Sequence, residues 1–143
     1  MKIYKFLPIL LFFITLALNG YSQSTPDSIL NTFFNKYEGN KKAALDYIFS
    51  TNLYIPREKT VELYKDILGL KKIIGEYTGY EFLVKKNAGE SLVLYSYLIK
   101  YAHQPVRFTI SFYKPKDKWI LYNFKYDSKV EEELQSAASL GTH

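Results

Sequence analysis

The sequence predicts an α+β fold, with amino-terminal helices packed on a curved four-stranded antiparallel sheet and a short helix at the carboxy end. Three observations lead there. From Ile29 to Leu68, apolar residues recur at helical spacing. Past Gly75 the spacing changes, and three runs rich in aromatic and β-branched residues follow with short turns between them, at 91–101, 106–113 and 119–126. Such residues suit a pleated, half-buried surface. Helices stand together and strands stand together, as in α+β chains.

The first residues read as a targeting leader. Lys2 and Lys5 give a basic start, 6–18 is almost wholly apolar, and the small residues Gly20 and Ser22 sit two apart, as a signal peptidase requires. The apolar run is short of the roughly 20 residues that a spanning helix needs. Residues 1–22 are therefore expected to be a signal peptide and 23–143 a single α+β domain, exported to the periplasm or secreted. No stable membrane span is expected after processing; a retained anchor is the alternative. The chain has no cysteine, which excludes disulfides and a lipid-modified cysteine. Stability must then come from a packed core.

The net charge of +5 owes part of its size to the leader. Without Lys2 and Lys5, 17 basic residues face 14 acidic ones. The doublets Lys41-Lys42, Lys71-Lys72 and Lys85-Lys86 are scattered and read as solvated positions, so no nucleic-acid partner is expected.

Each element has its own signals. Thr25 is placed to cap a first helix with Pro26 at its first position and Asp27 near its positive dipole end. Ile29, Leu30, Phe33, Phe34 and Tyr37 form the inner stripe, and Gly39 stops it. Asn40 caps a second helix with Ala44, Leu45, Ile48 and Phe49 inward. Pro56 opens a third, whose inner face is expected to be Val61, Tyr64, Ile67 and Leu68, with Gly69 ending its regular part. Glu58, Glu62 and Asp66 repeat every four residues and read as a wet face rather than a metal site. A first strand over 76–86, with Tyr77, Tyr80, Phe82 and Val84, is broken at Gly79 by a bulge or bend. Turns are expected at Asn87-Ala88-Gly89, at His103-Gln104-Pro105 and at 114–117. Ser128 and Glu131 have capping-box spacing for a closing helix with Val130, Leu134 and Ala138 on one side.

The two faces of the sheet follow from alternation. Val106, Phe108, Ile110 and Phe112 point one way; Arg107, Thr109, Ser111 and Tyr113 point the other. A two-residue loop at His103-Gln104 sets Tyr101 opposite Val106, Ile99 opposite Phe108 and Tyr97 opposite Ile110. An even-length last turn adds Trp119, Leu121 and Asn123 to the apolar face; an odd one substitutes Ile120, Tyr122 and Phe124. The even turn is preferred. The hydroxyls of Tyr95, Tyr97 and Tyr101 need partners, since each left unpaired in the interior costs about 1–3 kcal/mol. They either reach the rim or a backbone carbonyl, or line a wet pocket between sheet and helices. Tyr95, Tyr97, Tyr101, Trp119 and Asn123 are accordingly the candidate ligand-binding residues, for a small apolar ligand. On the opposite face Leu94, Leu98, Arg107, Thr109 and Tyr113 mix apolar and charged side chains as a partner surface does, and a homodimer through that face is expected.

Helices first, then long aromatic strands worded 92–98, Gln104-Pro-Val-Arg-Phe, Phe112-Tyr-Lys-Pro and 119–127, resembles small exported bacterial proteins of the nuclear transport factor two-like (cystatin-like) superfamily. The resemblance covers roughly 27–127. It implies a cone-shaped fold whose interior holds small apolar ligands. Some members are isomerases or dehydratases with an Asp or His base beside a Tyr in the cone. This chain departs from that pattern: His103 falls in a turn, His143 is the last residue, and Asp46 lies on the polar side of the second helix. Glu81 alone among the carboxylates can point inward, and a salt bridge to Lys or Arg suits it better.

No metal or cofactor is expected. Neither histidine has a histidine or carboxylate at ligand spacing, and no glycine-rich phosphate loop occurs. The expectation is an exported, non-enzymatic binding or interaction module using an aromatic pocket or the outer sheet face. The alternative is a small cone-fold isomerase or dehydratase acting on an apolar substrate, with Tyr97 and Glu81 as its acid–base pair.

Overall fold

A computed structural model of the protein describes residues 24–140. The expected leader at 1–22, the expected start of the mature chain at Gln23, and His143 lie outside the described residues. Three helices come first, α1 (Pro26–Gly39), α2 (Lys41–Ser50) and α3 (Arg57–Ile74). Four strands follow, β1 (Tyr77–Ala88), β2 (Leu92–Tyr101), β3 (Pro105–Tyr113) and β4 (Ile120–Asp127), and then α4 (Val130–Leu140). The sheet is antiparallel throughout, in the order β1-β2-β3-β4. This is the α+β architecture expected.

Helices α1 and α2 begin where their caps dictate. The Ser28 N–H donates to Thr25 Oγ1 and the Ala43 N–H to Asn40 Oδ1, each satisfying a donor that the first turn leaves free. Helix α3 departs from expectation in three ways. Pro56 is its N-cap rather than its first residue. The helix runs past Gly69 to Ile74, because Ile67, Leu70 and Ile74 carry a buried stripe through the glycine. Val61 and Leu68 stand outside that stripe and are exposed. Gly75 is the real stop: its φ is +90°, and a Cβ there would lie 2.9 Å from that of Ala102. That tight junction is tied to the β2–β3 turn by the Ala102 N–H on the Glu76 carbonyl and the His103 N–H on that of Ile74.

The core lies between the helices and one face of the sheet. Phe33, Phe34 and Tyr37 of α1 meet Phe108 and Phe124 of β3 and β4, Tyr80 of β1 and Tyr97 of β2 in a run of ring contacts. Val106, Phe108, Ile110 and Phe112 are buried, as alternation required. The β2–β3 register differs from expectation by two: Ile99 opposes Val106, Tyr97 opposes Phe108 and Tyr95 opposes Ile110. The turn is longer than two residues, and a slip by two leaves every side chain on its face.

Strand β4 combines both parities considered for it. Leu121 is buried opposite Phe112; the register then shifts between Ser111 and Phe112, and Phe124 is buried opposite Ile110. The bulge turns Asn123 away from the apolar face, to stand across from Ser111. Residues 51–55 form turns, and two of their side chains serve this edge. Thr51 Oγ1 accepts from the Leu121 N–H, and Asn52 Nδ2 donates to the Leu121 carbonyl. Side chains thus occupy backbone groups that an edge strand otherwise offers to another chain.

Helix α4 approaches the outer face, where Ser96 Oγ and Arg107 Nη1 both donate to Glu133 Oε2. On its expected apolar side Leu134 is 67% exposed, while Val130 is half-buried. The Lys129 N–H bonds to Asp127 Oδ1 before the first turn.

Candidate functional site

The tyrosines divide into two groups. Tyr101 belongs to the interior of the fold, where its hydroxyl bonds that of Tyr37 at 2.8 Å. The Tyr77 hydroxyl nearby is buried and has no hydrogen-bond partner, and burial holds it up to about 12. Tyr95 and Tyr97 lie together toward the start of α1. The Tyr95 hydroxyl donates to Asp27 Oδ1 at 3.1 Å, and the two rings are nearly parallel with centroids 6.5 Å apart.

An open cleft of about 320 Å³ lies beside them. Its aromatic wall is Phe34, Tyr80, Phe82, Tyr95 and Tyr97. Phe34 stacks on Tyr80 at 3.8 Å, and Phe82 meets Tyr97 edge-on at 5.7 Å. Its polar groups are Asp27, Asn31 and Lys85. Phe82 is 56% exposed, a large ring at the lip of the cleft rather than in the core. A second cleft of about 360 Å³ lies on the other side of Tyr95 and includes Trp119, whose ring sits under the Lys114 ammonium. Asp27, Lys85 and Tyr95 border both.

Helix α1 presents Asp27, Asn31 and Phe34 to the cleft, at the three- and four-residue steps that share one helix face. Strand β1 supplies Tyr80, Phe82 and Lys85 through an irregularity. The register slips between Phe82 and Val84, so Val84 opposes Ser96 on the outer side and Lys85 opposes Tyr95. Unbroken alternation from Phe82 would instead put Val84 on the cleft side. Lys85 is therefore not simply solvated: its Nζ is 3.1 Å from Asp27 Oδ2. The Tyr95 hydroxyl and the Asp27 carboxylate hold the ammonium above its ordinary range. Burial raises Tyr97, helped by the nearby Tyr95 and Asp27. Of the five ligand candidates, Tyr95 and Tyr97 line the first cleft, Tyr95 and Trp119 the second, and Tyr101 and Asn123 neither.

The other lysine doublets also have partners. Lys71 pairs with Glu76, and Lys41 lies about equally over the rings of Tyr37 and Tyr77. Glu81 is exposed and paired with Lys100 at 3.0 Å, the salt bridge expected of it. Asp46 pairs with Lys42 on the exposed side of α2.

On the outer face Leu94, Leu98 and Thr109 are half-buried and Tyr113 is 41% exposed, its ring against that of Tyr122. Arg107 is engaged within the chain, its guanidinium shared between Asp127 and Glu133. With Thr109 it borders a wide, mixed-charge groove toward α3 that includes Glu62, Asp66 and Lys125. Among the described residues, no helix is long and apolar enough to cross a membrane, and no cluster of His, Cys, Asp or Glu is placed to hold a metal ion. Compared with family models, curated proteins and solved structures, the chain finds no match.

Proposed function

We propose that the protein is an exported binding module whose aromatic cleft takes a small ligand with an apolar body. The observation that carries this reading is the cleft itself: five aromatic side chains from three elements and a carboxylate converge on about 320 Å³ of open space. That volume lies at the low end for small-molecule sites, which are mostly apolar with a few placed polar groups. Rings left partly open to water gain by covering, at about 25 cal/mol per Å² of apolar surface. Export rests on the leader, and kinship with the nuclear transport factor two-like superfamily rests on the element order and strand wording. The isomerase alternative loses ground because Glu81 faces Lys100 and not Tyr97. Native mass spectrometry of the full chain from the cells that make it should find a bound small molecule, absent from Tyr97→Ala.

A second copy on the outer face is a second reading, favoured by the exposed pair Tyr113 and Tyr122. Light scattering at micromolar concentration should then return twice the monomer mass; the monomer mass alone removes it.

A further inference from the structure

The cleft already holds an ammonium group, its own. Lys85 Nζ lies 3.1 Å from Asp27 Oδ2 and 5.0 Å from the centroid of the Tyr95 ring. A carboxylate and an aromatic ring are the partners that an organic cation seeks. The carboxylate is well placed to stay: Asp27 also accepts from the Tyr95 hydroxyl and sits in the first turn of α1, where the helix dipole favours negative charge. The ammonium is not. The Lys85 side chain is 39% exposed and that of Asp27 61%, and ion pairs so open to water hold weakly. Because Lys85 borders both clefts, moving it into solvent leaves Asp27 and the Tyr95 ring facing open space on either side.

We propose that the cleft recognises a small organic ammonium on a short apolar or aromatic stem, which displaces Lys85 from Asp27 and Tyr95. The incoming ammonium takes the place of the lysine, and its stem lies along Phe82 and Tyr97. One cation leaves the carboxylate as another arrives, so the charge balance of the site is kept. The inference rests on the cleft being a ligand site and adds the charge of the ligand.

Three probes of one shape and different charge test it: 2-phenylethylammonium, 2-phenylethanol and 3-phenylpropanoate. Each is titrated at neutral pH and low salt into the full chain, and the aromatic NMR resonances are followed. The ammonium should bind about tenfold or more tighter than the alcohol, with the carboxylate weakest. Lys85→Ala should tighten ammonium binding about tenfold by removing the competitor. Asp27→Asn should erase the preference and leave the alcohol nearly unchanged. Both side chains are exposed enough that neither replacement empties the core. An alcohol that binds as tightly as the ammonium, or a Lys85→Ala variant with unchanged affinity, overturns the charge assignment and leaves the cleft as a site. Failure of all three probes to bind wild type and variants overturns both.

Discussion

Phe108→Ala should cost the protein about 3–5 kcal/mol, the range for deleting a fully buried phenylalanine. Phe108 has no exposed surface, and its ring packs edge-on against Tyr37 at 5.7 Å and Phe124 at 5.1 Å. It therefore joins α1 to β3 and β4, and its loss opens a cavity that three elements border and cannot easily close. Domains of this kind have a total stability of about 5–15 kcal/mol, so the variant should be marginal. Its neighbour Thr109 is half-buried on the opposite face, and Thr109→Ala should cost less than about 1 kcal/mol. Urea unfolding of the two variants measures the difference. Equal losses would mean that the inward and outward faces of β3 are wrongly assigned.

Alkali should unfold the protein steeply. Tyr37, Tyr97 and Tyr101 are all less than one-tenth exposed, and burial raises each above the ordinary tyrosine value. The sign follows from proton counts. Above about pH 10 the unfolded chain releases phenolic protons that the folded chain retains, so stability is complete below that pH and falls above it. A tyrosine that stays protonated in the folded chain removes about 1.4 kcal/mol per pH unit, so Tyr37 and Tyr97, which burial raises furthest of the three, together remove about 3. Two units above the ordinary value, that loss rivals the whole stability of the domain. Denaturation midpoints measured across the alkaline range should drop accordingly. A midpoint that is constant to about pH 12 would show that these hydroxyls titrate freely in the folded protein.

The residues whose place could be read from sequence are those governed by an uninterrupted period. Ile29, Phe33 and Tyr37 on α1, and Phe108 with its alternating neighbours on β3, are buried because nothing breaks their repeat. Caps were equally legible, since Thr25 and Asn40 act within three residues. Errors arose where a period is interrupted. In β4 a bulge buries Leu121 and Phe124 together, which no single turn length produces. In β1 a second bulge brings Lys85 to the cleft in place of Val84. A bulge depends on pairing with the neighbouring strand, so a strand's own residues do not announce it. Helix α3 misled for another reason: Gly69 costs a helix only about 1 kcal/mol relative to alanine, less than burying Leu70 and Ile74 returns.

The candidate site was half legible. Tyr95, Tyr97 and Trp119 stood out as aromatic residues on a buried strand face or at its turn, and they do border the two clefts. Asp27 was seen only as a helix-dipole residue. Its step to Asn31 and on to Phe34 marks one helix face, a signal present in the sequence that gains meaning only once that face lies beside β1 and β2. Lys85 gave no local signal, because its partner Asp27 is 58 residues away.

The central claim is that the space between Asp27, Phe82 and Tyr97 is meant to be filled. The native mass spectrum of the full chain, taken without denaturation from the cells that produce it, tests this most directly. A second peak heavier by one small molecule, lost in Tyr97→Ala while Thr109→Ala retains it, is the predicted result. The bare chain mass in wild type, or an added mass that Tyr97→Ala keeps, would contradict it.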